Sequence, residues 1–517
     1  MLPPNAGIDG GLGGHWGVRD DRDWVDGRWS RTDLGPFLSS SLDTPAGLVV
    51  RAVSVRLGES RDAGVAFDTV DCTWKAAWDG GFLALDPARF GLIGRPKIAG
   101  TVRIHPGAGA RWRGAHTEYR GLRVHGERVL FSYALGETDV LDLAGIQPLA
   151  SSSSDAPPPP IFLRTIELSK RDAPLELPLV EIERVEDERI ELQNERATFR
   201  SASETKSTLV MLEAPRSVAT LERRGTSLVL RVLAGDSPAV LRLRMWSGPT
   251  ASLAGAIEAA AGTPLESPSA LSSPGPRRWD PPLVTHGHRA PDDAPWVIDT
   301  APLPFENPWN ALLFLSGIDF FRDGRAAVSA AHGDVWIVDG LDGDLDRVTW
   351  KRFATGLYQP LGLRIVDGDV YVLGRDRITR LHDEDHDGEA DLYESFSDAI
   401  ETSAGGHDYV TSLEVDQDGN FYWADPKGVH RVSRDGGDRV TLATGFRNPN
   451  GLSVSADGGI VTVAPQEGEW TPASMICEIR PGGYYGYGGP RVAGDRPLGY
   501  DPPLLYLPRH VDNSTGS

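Results

Sequence analysis

Gly317-Ile318-Asp319-Phe320-Phe321-Arg322-Asp323-Gly324 and Gly362-Leu363-Arg364-Ile365-Val366-Asp367-Gly368 share one frame, a small residue, an aliphatic, a short spacer and Asp-Gly. Ser412-Leu413-Glu414-Val415-Asp416-Gln417-Asp418-Gly419 and Gly451-Leu452-Ser453-Val454-Ser455-Ala456-Asp457-Gly458 repeat it. Successive copies start 45, 50 and 39 residues apart. That interval is the length of one four-stranded propeller blade. Asp-Gly closes a tight hairpin because glycine accepts positive φ, and the strand that follows (Val370 to Leu373, Phe421 to Trp423) packs on the next blade. Four copies in register predict a β-propeller over residues 299–517. A ring of six at about 40–45 residues per blade is the expectation. Four blades are recognisable and His510 to Ser517 offers no closing strand, so the propeller is expected to be incomplete at its C-terminal end.

Upstream of the repeat, two low-complexity stretches punctuate the chain. Residues 151–160, four serines, Asp-Ala and four prolines, read as a polar linker, and 263–298 is a second Ser/Pro-rich one. They set off a β-rich region over 1–150 and a β-sandwich-like region over 161–262. Leu48 to Leu57 is strand-like, and Val129, Phe131 and Tyr133 alternate beyond the turn His125-Gly126-Glu127. Val240 to Trp246 alternates likewise, and Leu253 to Ala261 reads as a short helix. The fold class is all-β, sandwich-like domains followed by a propeller. Trp16, Trp24, Trp29, Trp74, Trp78 and Trp112 are dense in the first region; core packing explains them better than sugar stacking.

Composition agrees and excludes several functions. Of 517 residues, 59 are Gly and 39 are Pro, nearly a fifth, which favours turns over long helices. A net charge of −21 argues against a nucleic-acid partner held through its phosphates. No apolar run approaches a membrane span, and Met1-Leu2-Pro3-Pro4-Asn5 shows no secretory signal. Cys72 and Cys477 are the only cysteines, which excludes a disulfide framework or a haem-attachment motif in this chain and predicts two buried thiols.

Asp383-Glu384-Asp385-His386-Asp387-Gly388-Glu389-Ala390-Asp391-Leu392-Tyr393-Glu394 fits the twelve-residue calcium loop. Asp383, Asp385 and Asp387 take positions 1, 3 and 5, and Gly388 makes the turn at 6. Glu389 offers its carbonyl at 7, Asp391 stands at 9, and Glu394 at 12 is the bidentate ligand. Seven acidic side chains in twelve residues repel one another unless a hard cation sits among them. Ile378 to Leu381 before it is strand-like, so the loop joins propeller strands and its expected role is structural. A solvated acidic turn is the other reading.

His407 precedes the third inner strand, and Arg447 and Asn448 precede the fourth. Equivalent loops of successive blades converge on a propeller axis. There an imidazole removes a hydroxyl proton and a guanidinium stabilises an oxyanion. Read without that geometry, His407 is incidental to a glycine loop and Arg447-Asn448 caps a turn.

Residues 299–500 resemble the soluble quinoprotein glucose and sorbosone dehydrogenases, propellers that use pyrroloquinoline quinone (PQQ) and calcium. The resemblance is carried by Arg447-Asn448-Pro449-Asn450-Gly451-Leu452, Gln466-Glu467-Gly468, Glu478-Ile479 and Gly482-Gly483-Tyr484-Tyr485-Gly486-Tyr487. It implies His407 as the base, Arg447 and Asn448 at the reacting centre, and Gln359 and Tyr484 as further cofactor contacts. The whole chain is similar to large secreted proteins of planctomycetes and their relatives, which join a β-rich domain of unknown function to such a propeller. Gly13-Gly14-His15-Trp16-Gly17, Asp33 to Leu38, Gly80 to Leu83, Asp86 to Leu92 and Thr355 to Leu363 carry that likeness. It implies a periplasmic or secreted location, a signal peptide upstream and a cytochrome downstream. Two functions follow: a quinoprotein-like dehydrogenase oxidising a sugar or polyol and passing electrons to a cytochrome c, or a non-catalytic, calcium-stabilised propeller for carbohydrate binding or scaffolding.

Overall fold

The computed structural model describes residues 27–87, 91–149, 158–182, 190–193, 196–200, 205–261, 266–468 and 471–508. The motif at Gly13–Gly17, Trp16, Trp24, most of the Ser/Pro stretch at 151–160 and the segment His510 to Ser517 lie outside them. The described residues are nearly all β, with one two-turn helix, Leu253–Ala260.

Each Asp-Gly of the repeat closes the hairpin between the first two strands of a sheet. The four sheets begin with the strands Leu315–Phe320, Leu363–Val366, Thr411–Val415 and Asn450–Val454. In each, successive strands pair antiparallel with their sequence neighbours, the pattern of a propeller blade. Tyr422, Trp423 and Trp336 are buried between sheets, as alternating strand positions require. The described residues hold four such sheets against the six expected. Leu315, Ile318 and Phe320 on the first strand of the first sheet are 42, 49 and 56% exposed.

The N-terminal part builds a five-stranded sheet beginning Phe37–Thr44 and Gly47–Leu57, packed on a second sheet that runs far beyond it. In that second sheet Thr138–Gln147 pairs with Ile161–Leu168 from Val140↔Leu168 to Gln147↔Ile161. The boundary drawn at 151–160 therefore falls at a connection inside one sheet. At its other side Thr117–His125 pairs with Leu392–Ser397, the outer strand of the second propeller sheet. The result is one twelve-stranded sheet spanning all three regions expected from the sequence.

Apolar side chains from its faces, from the five-stranded sheet and from a three-stranded sheet (Leu175–Glu181, Ala219–Arg224, Ser227–Val232) form one core. Within it Arg164 donates to Asp142 at 2.6 Å, and the Tyr133 hydroxyl donates to the same carboxylate at 3.1 Å. Both charges are essentially inaccessible, so each depends on the other for solvation. Trp29, Trp74, Trp78 and Trp112 are buried, in keeping with core packing. Cys72 and Cys477 are buried free thiols.

The junction between Thr117–His125 and Leu392–Ser397 needs glycine at 121. Its φ is +138°, and a Cβ there would stand 2.3 Å from the Tyr393 carbonyl oxygen. Gly121→Val should lower the unfolding free energy by more than about 2 kcal/mol, read from urea denaturation. A variant as stable as the parent would show that the junction contributes nothing to stability.

In the third sheet His430 is buried between Asp425, at 3.1 Å, and the Thr441 hydroxyl, at 3.0 Å. Burial works to raise the Asp425 carboxyl, but hydrogen bonds and the charge of His430 hold it below the ordinary value. A depressed carboxylate stabilises the fold above its unfolded pKa, about 4, and that contribution is lost as pH falls through the folded value. The thermal midpoints of the parent and Asp425→Asn should therefore converge from pH 7 to pH 3; a constant gap contradicts this.

Candidate functional site

In a four-stranded antiparallel meander, alternate connections lie at opposite ends. The Asp-Gly turns and the acidic loop share one rim. The connections leading into the next sheet occupy the other, and they carry Gln359, His407, Arg447 and Asn448. The two candidate sites are therefore separated by the length of the strands.

The acidic loop links Ile378–His382 to Leu392–Ser397. Asp383 accepts from the backbone N–H groups of Asp387 at 3.0 Å and Gly388 at 2.9 Å, which folds the loop over its first residue. Asp391 accepts from the Glu384 N–H at 2.9 Å. Carboxylate oxygens of Asp383, Asp385 and Asp391 lie within 4.8 Å of one another. Burial, then the neighbouring carboxylates, push the Asp391 carboxyl up to about 6, and Asp383 is raised for the same reasons.

The side chains at the other three positions are engaged elsewhere. Asp387 lies 3.4 Å from the Arg277 guanidinium. The Glu389 carboxylate accepts from the N–H groups of Arg278 and Trp279, both at 2.9 Å, which leaves its backbone carbonyl as the donor expected at that position. Glu394 meets His382 at 2.6 Å, and that hydrogen bond is the main reason its carboxyl lies below the ordinary value. The bidentate role assigned to Glu394 is thus not met by this arrangement, because its strand position turns it toward the neighbouring strand. Around the loop, Arg123 pairs with Glu384 at 2.6 Å and Lys351 of the first propeller sheet donates to the Asp387 carbonyl. The loop so touches the N-terminal sheet, the segment before the propeller and two propeller sheets.

On the other rim, His407 is exposed and its ring meets Tyr409 edge-on at 6.1 Å. Arg447 donates to the Glu467 carbonyl at 2.6 Å, and the Asn448 amide donates to Gln466 at 3.2 Å. Among the described residues no hydrogen bond or ion pair joins His407 to Arg447. Gln359 is committed within the protein: its amide donates to the Leu92 carbonyl at 2.7 Å and its oxygen accepts from Arg375 at 2.8 Å. The Tyr484 hydroxyl donates to the Tyr487 and Gly489 carbonyls, and burial raises its pKa.

Arg375 was not singled out from the sequence, yet it organises this rim. It is 2% exposed and donates to Gln359, Ser403 and the Gly406 carbonyl. Arg95 reaches the same loop at the Ala404 carbonyl, 3.2 Å, and the Ser41 and Tyr358 hydroxyls lie 2.8 Å apart. Residues of the N-terminal part thereby cover the rim of the second sheet. Arg375 lies in the connection between the second and third strands of its sheet, outside the Asp-Gly frame, so the repeat carried no signal for it.

Residues 65–142 match the model of a domain of unknown function, DUF6797. No curated protein matches the chain. Among solved structures, a Thermus thermophilus protein provisionally described as an oxidoreductase (glucose dehydrogenase) is 17% identical, with a TM-score of 0.31, over 38% of this chain and 71% of that one. A provisional 6-phosphogluconolactonase of Bacteroides uniformis is 11% identical, with a TM-score of 0.23, over 69% and 95%. The extracellular domain of a provisional one-component system of B. thetaiotaomicron is 9% identical, with a TM-score of 0.21, over 86% and 72%. At these scores none of the three bears on what this chain does.

Proposed function

We propose that this chain is a non-catalytic, calcium-braced propeller protein that binds carbohydrate. The observation that carries the calcium part is the convergence of Asp383, Asp385 and Asp391 at the junction of the N-terminal and propeller sheets. Three clustered carboxylates and a backbone carbonyl at Glu389 are the hard oxygen donors calcium prefers. Neutralising their mutual repulsion would stiffen a loop that already touches four parts of the fold. Binding, rather than oxidation, stands first because Gln359 and Tyr484, two of the residues expected to hold a quinone, are committed to protein partners. Gln359, Arg447, Asn448 and Tyr484 all bond within the chain. A protein of this kind needs no cytochrome, and a calcium-rich periplasmic or extracellular setting suits it.

A second reading, a sugar or polyol dehydrogenase using PQQ, keeps one observation in its favour. The His407 imidazole is exposed, has no hydrogen-bond partner among the described residues, and shares its rim with Arg447.

Calcium at a hundredfold excess over its Kd should add about 2.7 kcal/mol to stability, read as a rise in Tm over protein kept in chelator. Asp383→Asn with Asp385→Asn should abolish that rise; a rise retained in the double variant would move the ion elsewhere. Spectral titration with PQQ in the presence of calcium should show no uptake. Stoichiometric uptake lost in Arg447→Ala, with sugar oxidation lost in His407→Ala, would put the dehydrogenase reading first.

A further inference from the structure

Between the N-terminal sheets and the outer edges of the second and third propeller sheets lies an open cleft of about 850 Å³, whose lining includes none of the rim residues or acidic-loop carboxylates described above. Its size lies in the range that holds a small ligand. One wall is the segment Arg111-Trp112-Arg113-Gly114-Ala115-His116. Trp112 is buried and its indole N–H donates to the Cys72 carbonyl at 3.0 Å, so its two neighbours turn outward. Arg113 exchanges backbone hydrogen bonds with Glu176 at 2.8 and 3.0 Å. Gly114 has φ +100°, where a Cβ would meet the Pro174 carbonyl oxygen at 2.5 Å. The wall is thus held in place by its backbone while its two arginines stay exposed.

The side chains of Arg111 and Arg113 make no ion pair or hydrogen bond among the described residues, although the chain carries a net charge of −21. The opposite wall includes Ser397 and Asp398. The Asp398 side chain, 3.7 Å from the Arg51 guanidinium, is 79% exposed, and Asp71, Glu118 and Asp435 also line the cleft.

We infer that this cleft binds an acidic saccharide, a uronate unit whose carboxylate pairs with Arg111 and Arg113 and whose hydroxyls meet Asp398. Guanidinium and carboxylate match as a bidentate pair. Sugar hydroxyls donate to Asp398, whereas a polyanion such as nucleic acid would be repelled by that wall. The assignment rests on the carbohydrate-binding reading and gives it a place and a ligand class.

The test is calorimetric titration of the full chain, calcium-loaded, with a panel of uronate di- and trisaccharides and their carboxyl-reduced counterparts. At least one uronate should bind about tenfold or more tighter than its reduced form, and Arg111→Gln with Arg113→Gln should remove that preference. Both arginines are exposed, so the double variant should keep the parent Tm. Failure of every saccharide to bind would overturn the carbohydrate reading itself. Binding that is equal for acidic and reduced forms, or unchanged in the double variant, would leave that reading standing and overturn this site.

Discussion

The structure depends on one strand pairing, Thr117–His125 against Leu392–Ser397. It fuses the N-terminal sheet to the propeller through backbone hydrogen bonds, to which side-chain contacts such as Arg123 with Glu384 are added. A ladder fixes register as well as distance, because a shift of one residue turns every side chain to the other face. The acidic loop opens directly into this pairing, and the Val124 N–H donates to the Asp391 carbonyl at 2.8 Å. An ion held by Asp383, Asp385 and Asp391 would therefore act on the joint between two parts of the molecule.

Much of the architecture was legible in the chain because it rests on local rules. The four Asp-Gly pairs close hairpins since Gly324, Gly368, Gly419 and Gly458 all adopt positive φ. The alternation of Val129, Phe131 and Tyr133 places them in the core. The long-range pairings were not legible. Nothing in Thr117 to His125 names Leu392 to Ser397 as its neighbour, and a Ser/Pro stretch marks a turn in a sheet as readily as a domain boundary. The carboxylate ligands were read from spacing alone, so the diversion of Glu394 to His382, set by register across two strands, was invisible.

The rim illustrates the same limit. Periodicity located His407, Arg447 and Asn448 in equivalent connections, which is where the structure has them, and Gln359, named through the resemblance, lies in another. It did not show that Leu92 and Arg375 would take up the hydrogen-bonding capacity of Gln359. Those partners come from a turn of the N-terminal part and from a connection outside the Asp-Gly frame. Availability is a tertiary property, and residue type reports only capacity.

The pairing of Thr138–Gln147 with Ile161–Leu168 bears on how the molecule can be divided. A fragment ending at the Ser/Pro stretch would leave eight residues of strand with raw donors and acceptors on its flank, and its complement would carry the matching edge. Bare edges of that length recruit foreign strands. Dissection into soluble modules is better attempted by removing whole sheets than by cutting where the sequence looks most like a hinge.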